Sequence, residues 1–189
     1  MSTYLCQNEL LMGNLINYYN NDNYRNLDRI LPIINGESKV SLRIIDWFST
    51  NYAKKHFVVY SLVNNAGDPT RFKVYMDYKL KLKSYSKKRF DPFCRWERIT
   101  FPYKNNSMIQ TTLGQLNFFK WALENKVIDY LDDNYSDIEN DMNNRNSTAK
   151  NKTNDNTKGN KTRKKREELS ISASKSIKKE NVEVIVKFG

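Results

Sequence analysis

The sequence predicts an α/β fold of the α+β type, a small mostly antiparallel sheet packed by two main helices. A disordered basic C-terminal linker and a terminal strand follow it. Three observations carry this expectation. Segments 40–55 and 112–132 repeat apolar residues at three- and four-residue steps, the period of a helix with one buried face. Short β-branched and aromatic runs at 57–63, 72–76 and 98–103 are separated by turn-forming residues. From about Asn134 to Lys179, aromatics vanish after Tyr135 and Asn, Lys, Ser and Thr dominate. Such a stretch buries too little apolar surface to offset its ordering entropy. The 189 residues suit one domain with appendages. The predicted organisation is a folded domain over 1–133, a disordered Asn/Lys-rich linker over 134–180 and a C-terminal strand over 181–189.

The first forty residues are Asn- and Tyr-rich, with LLMGNLINYY and LDRILPII as their apolar parts. Pro32 and the Asn35-Gly36 pair close that zone in a turn. In the helix over 40–55, Leu42, Ile45, Phe48 and Tyr52 form the stripe and Trp47 broadens it. Ser38 or Ser41 caps its start, and Lys54, Lys55 and His56 complement the dipole at its end. FVVYSLV, at 57–63, reads as a buried strand, and the turn residues NNAGDPT pair it with FKVYM in a hairpin.

Beyond that hairpin the pattern forks. Phe72, Val74, Met76, Tyr78, Leu80 and Leu82 alternate with polar residues as in a strand, while Tyr75, Tyr78, Leu82 and Tyr85 form a helical stripe. The strand is expected over 72–76, with 77–86 open between strand and helix and leaning to helix. Asp91-Pro92 forces a turn in FDPF, and Arg98 to Tyr103 is a strand stopped by Pro102. Thr112-Leu113-Gly114-Gln115 fits a capping box ahead of Leu116, Phe119, Leu123, Val127, Tyr130 and Leu131. Asp129, Asp132 and Asp133 oppose the dipole at the end of that helix, which favours fraying. The closing heptad, Val182 to Phe188, is β-prone and is expected to return to the domain's sheet or to add to a partner's edge.

A net charge of +11 favours polyanionic partners. It is unevenly spread: residues 72–104 carry +7 and residues 134–189 carry +5, around a slightly acidic 105–133. Cys6 and Cys94 are the only cysteines and His56 is the only histidine, so no zinc site or disulfide framework is expected. Two isolated thiols suit a reducing compartment. No apolar run approaches transmembrane length, and MSTYLCQNEL lacks the order of a signal peptide, so no membrane association is expected. The six glycines are scattered and form no phosphate loop, and one histidine supports no convincing nucleophile–base set. A non-catalytic protein without cofactor or metal is therefore expected. Asp91 reads as a turn former, and Asp46 as an exposed helix residue or a salt-bridge partner.

Residues 72–104 hold nine aromatics and ten Lys or Arg against three acidic residues, a mixture that suits nucleic acid. Within it, Lys87, Lys88, Arg89, Arg95 and Arg98 are the candidate phosphate contacts, with Tyr85, Phe90 or Trp96 as stacking faces. The alternative buries Phe90, Phe93 and Trp96 as core, leaves the cations on a solvated rim and pairs Glu97 with a neighbour. A second basic run, with Lys161, Arg163, Lys164, Lys165 and Arg166, reads as a nuclear-localisation signal, a nucleic-acid tether or a solubilising linker.

NGESKVSLRIIDWFSTNYAKKH, YKLKLKSYSKKRFDPFCRWERI and TTLGQLNFFKWALENKVIDYL, taken together, resemble a family of small uncharacterised proteins of nucleocytoplasmic large DNA viruses, the giant viruses. The resemblance covers about Ile33 to Leu131, and FDPFCR with TTLGQLNFF is its most specific part. The family pattern more usually has arginine at the position of Trp96, which implies stacking or packing rather than phosphate contact there. The Asn- and Lys-rich composition is compatible with an AT-rich viral genome. The resemblance brings a viral setting and no activity. With the charge pattern it implies a nucleic-acid-associated accessory protein in transcription, replication or genome packaging, binding DNA or RNA mainly through phosphates with weak sequence specificity. The alternative is a virion or virus-factory interaction component that docks other viral proteins through the C-terminal strand. Either role places the chain in the virus factory of the host cytoplasm or in the virion, with the nucleus reached through the basic tail.

Overall fold

The computed structural model describes residues 6–63, 67–104, 107–154 and 179–181. The N-terminal zone forms two helices, α1 (Gln7–Asn21) and α2 (Arg25–Asn35). α1 buries Leu11, Leu15 and Tyr19, spaced by four and so on one stripe. The fully buried Tyr19 donates its hydroxyl to the Leu116 carbonyl at 2.9 Å, so the stripe carries a satisfied polar group into the core. α2 ends as its Asn35-Gly36 pair predicts. Gly36 adopts φ 76°, and Glu37 N–H donates back to the Pro32 carbonyl at 2.8 Å.

The predicted helix over 40–55 is α3 (Leu42–Trp47), a π-helical turn (Phe48–Tyr52) and a last turn, α4 (Ala53–Lys55). Of the two candidate caps, Ser41 accepts from Ile44 N–H at 3.3 Å. Across the π turn, Ser49 Oγ donates to the Ile45 carbonyl at 3.0 Å and Thr50 Oγ1 to the Asp46 carbonyl at 2.6 Å. These hydroxyls serve carbonyls of the widened ladder.

β1 (Val59–Val63) and β2 (Pro69–Lys73) form an antiparallel hairpin as predicted, with Tyr60 opposite Phe72 and Val59 opposite Lys73. However, the second strand starts within the expected turn, and the first is partly exposed, not buried. The second strand ends where continued pairing was expected. Helix α5 (Val74–Arg89) starts at once, so the forked segment is helical. The stripe through Tyr75, Tyr78, Leu82 and Tyr85 wins because it meets a core of aromatic rings, whereas the alternation would send Met76 and Leu80 to the same face as Tyr78. Met76 and Leu80 instead stand 58% and 61% exposed.

β3 (Ile99–Pro102), β4 (Ser107–Thr111) and β5 (Lys179–Asn181) form a second antiparallel sheet in that order. The fold is α+β, but the single sheet expected from sequence is two separate ones. β4 has little β-branched signal, and its anchor is the buried Ile109 opposite the buried Phe101. The predicted strand over 182–188 lies outside the described residues. The three residues before it already pair with β4, Lys179 opposite Ile109.

The predicted helix over 112–132 is divided into α6 (Leu113–Glu124) and α7 (Val127–Asp133) by Lys126 at φ 53°. α6 is the centre of the core, burying Leu116, Phe118, Phe119, Trp121, Ala122 and Leu123. Two main helices are therefore too few. α8 (Tyr135–Asn154) occupies the first part of the stretch expected to be a disordered linker. Ile138 is wholly buried and Met142 is 9% exposed, one turn apart, so two apolar residues on one face seat an otherwise polar helix. Composition averaged over the segment hides that face. Asp141, beside them, accepts from Trp47 Nε1 at 3.1 Å and pairs with Lys55. The basic run at 161–166 lies outside the described residues. Among the described residues, no helix is long and apolar enough to cross a membrane.

Candidate nucleic-acid interface

The cationic cluster is positioned by a break in α5. Ser86 leaves helical geometry at φ 60° and ψ 166°, a region that a residue with a Cβ seldom occupies, and Lys87, Lys88 and Arg89 follow it. The chain then drops Phe90 into the core. Its ring lies 5.3 Å from Phe118 and 5.5 Å from Trp121, with Tyr85 stacked at 6.3 Å.

FDPF is held by the start of α6. Asp91 N–H donates to the Gly114 carbonyl at 3.2 Å, and Asn117 Nδ2 donates to the Arg89 carbonyl at 2.8 Å. Gln115 Nε2 donates to the Pro92 carbonyl at 2.9 Å, while Gln115 Oε1 accepts from Thr111 Oγ1 at 2.9 Å. Half of the predicted capping box forms: Thr112 Oγ1 accepts from Gln115 N–H at 3.1 Å. The Gln115 side chain serves the Pro92 turn instead of the cap. Two segments distant in sequence, FDPFCR and TTLGQLNFF, are thus one structural unit.

Asp91 is 2% exposed and acts as the turn former the sequence predicts. Its Oδ1 accepts from Phe93 N–H at 3.2 Å and from Arg95 Nη2 at 3.3 Å. Arg95 Nε stands 3.1 Å from Oδ2 as an ion pair, but not at a hydrogen-bonding angle. Burial pushes the Asp91 carboxyl above its ordinary value, and the Arg95 charge opposes that rise. Burial likewise pushes the Cys94 thiol up.

The predicted site residues therefore separate. Phe90 and Phe93 are core, and Tyr85 is half-buried against Phe90. Arg95 balances Asp91 and lies over the Phe93 ring at 4.4 Å. Arg89 Nε donates to Asn8 Oδ1 at 2.6 Å. Lys87, Lys88, Trp96, Glu97 and Arg98 remain on the surface. Trp96 is 40% exposed, with Lys88 Nζ 5.8 Å from its ring centre. Among the described residues, neither Lys87 nor Lys88 has a salt-bridge partner. Sequence reasoning missed the supporting roles of Gly114, Gln115 and Asn117. Only the capping motif pointed to that region, and for a different reason. No group of three or more His, Cys, Asp or Glu suited to a metal occurs among the described residues.

The profile of a family of unknown function, DUF7197, matches residues 5–188. The chain is similar to "Uncharacterized protein L507" of Acanthamoeba polyphaga mimivirus, with 44% identity over 128 residues. That match takes in 65% of this chain and 48% of the viral protein, so the chain spans about half the length of this relative. No solved structure matches.

Proposed function

We propose, for a chain that belongs to the DUF7197 family of unknown function, a non-catalytic role as a nucleic-acid-associated accessory protein of a large DNA virus. The relative in a mimivirus supports a viral setting, and on this reading the chain acts in the virus factory of the host cytoplasm or in the virion. One observation carries the binding reading. Behind the Ser86 break, Lys87 and Lys88 are exposed cations without a salt-bridge partner among the described residues, and Lys88 stands over the partly exposed ring of Trp96. Cations for phosphate beside a π face for a base are the two components of a sequence-tolerant nucleic-acid contact. The site is narrower than the charge count suggests, because Arg89 and Arg95 hold protein groups.

Filter binding of the full chain to single- and double-stranded DNA and to RNA at low salt tests this reading. Retention that falls steeply with salt supports it, and no retention of any of the three removes it.

A second reading, a virion or virus-factory interaction component, draws on Met76 and Leu80, exposed one turn apart on α5. Deleting 181–189 addresses it through the C-terminal segment. Loss of a viral partner with nucleic-acid binding retained favours docking.

A further inference from the structure

Phe57 stands where its side chain is least expected. It follows the helix through α4, and the turn closes with Val58 N–H donating to the Ala53 carbonyl at 3.2 Å and His56 N–H to the Tyr52 carbonyl at 2.9 Å. In such a helix end the linking residue takes the left-handed conformation and is usually glycine. Phe57 takes it at φ 50°, and its side chain gains no packing in return, being 84% exposed. The other aromatic at positive φ, Tyr24, shows what normally compensates: its ring packs on Tyr103 at 5.8 Å.

The surroundings indicate what the ring faces. Asn51, Lys54, Lys55, Phe57 and Arg145 line one solvent-open concavity. Lys54 Nζ stands over the Tyr75 ring at 5.6 Å, and Arg145 over Trp47 at 5.8 Å. Asp141 pairs with Lys55 and lies 3.7 Å from His56 Nε2. Three cations thus line the concavity beside an exposed phenyl ring, one of them paired with Asp141. Besides Phe57 the lining is an asparagine, two lysines and an arginine, whose stems give apolar surface and whose ends carry charge. The lining is complementary to a phosphate chain whose base lies on the ring.

We infer that Phe57, with Lys54, Lys55 and Arg145, is a second nucleic-acid contact that stacks an unpaired base. The inference rests on the nucleic-acid reading above and adds to it a preference for single strands. A duplex keeps its bases stacked on each other and offers no free face to an exposed ring. Val74 N–H donates to the Val58 carbonyl at 3.3 Å, which places Phe57 beside the start of α5, whereas Lys87 and Lys88 lie at its end. The two contacts are therefore separable by mutation.

The test uses the full chain, a single-stranded oligothymidylate carrying one 2-aminopurine, and a duplex of equal length. Phe57→Gly is expected to raise Tm by about 2 °C, because glycine relieves the left-handed backbone. The same change is expected to weaken single-strand binding about 5- to 150-fold and to abolish 2-aminopurine quenching, with duplex binding unchanged. Phe57→Tyr keeps both. If Phe57→Gly leaves single-strand affinity intact while Lys87→Ala with Lys88→Ala lowers it, the Phe57 contact is wrong and the wider reading stands. Equal losses on single strand and duplex, or a lowered Tm, also overturn it. If the unaltered chain binds no nucleic acid, both fall together.

Discussion

The carbonyl oxygen of Lys88 lies 2.8 Å from the point where a Cβ on Gly114 would stand, and Phe90 N lies 3.3 Å from it. Both neighbours are backbone, so neither can swing aside. This contact explains a glycine in the first turn of α6, where propensity alone disfavours it. It also sets how closely the cationic turn approaches the core. Gly114→Ala is expected to lower stability by about 1–3 kcal/mol, because the Lys88–Phe90 backbone must be displaced. Urea unfolding measures it, and an unchanged midpoint would show that the approach is not tight.

Asp91 predicts a particular pH dependence. Its burial raises the folded-state pKa, so the folded chain holds this proton more tightly than the unfolded chain does. The stability from this group therefore falls as pH rises from the ordinary carboxylate range through the raised value. Asp91→Asn keeps an acceptor for Phe93 N–H and is expected to flatten that part of the stability–pH curve. Asp141 works with the opposite sign. Burial pushes it up, but hydrogen bonds from Lys55 and Trp47 together outweigh that and hold its carboxyl low. Its stabilisation is present above the ordinary carboxylate range and is lost as pH falls through the folded value. Denaturant midpoints taken from acid to neutral pH check this, and an identical pH profile in Asp91→Asn would contradict it.

Lys87 and Lys88 predict a salt effect that Arg95 does not share. Removing two phosphate contacts lowers the slope of log K against log salt by about 1.8 on duplex DNA and about 1.4 on single strands. Lys87→Ala with Lys88→Ala is expected to show this while unfolding at the wild-type midpoint. Arg95→Ala is expected to lower stability instead, since it strands the Asp91 carboxylate in the core. Binding titrations over a salt series separate the two, and equal slopes for parent and double variant would take the lysines out of the contact.

Ile138 tests whether α8 belongs to the folded unit. The side chain is fully buried, and Ile138→Ala is expected to cost about 2–4 kcal/mol through lost burial and the cavity left behind. A loss below about 0.5 kcal/mol, the range of ordinary surface changes, would mean that α8 rests on the domain without contributing to it.

Local patterning in the sequence determined much of this protein. The 40–55 stripe, the Asn35-Gly36 stop and the Asp91-Pro92 turn each rest on neighbours in the chain and formed where those neighbours placed them, while the hairpin formed with its second strand three residues early. The aromatic and basic residues that make up the candidate site were equally visible. Tertiary structure decided what those residues were used for. Arg95 and Trp96 are adjacent in sequence, yet one is bound to a buried carboxylate and the other keeps an exposed face. Gln115, read as a cap, became the brace of the Pro92 turn because packing brought that carbonyl within reach. Helix α8 formed because Ile138 and Met142 found a surface to cover, which no average over its polar residues could show. Phe57 read as the first residue of a buried strand, and only the closure of the preceding helix turned it outward. Asp91 and the turn that closes on Ala53 are near neighbours in the chain, but the Pro92 carbonyl that takes Gln115 and the Trp47 that meets α8 lie far from their partners. A contact of that kind is fixed by how elements pack, and the period of either segment carries no record of it.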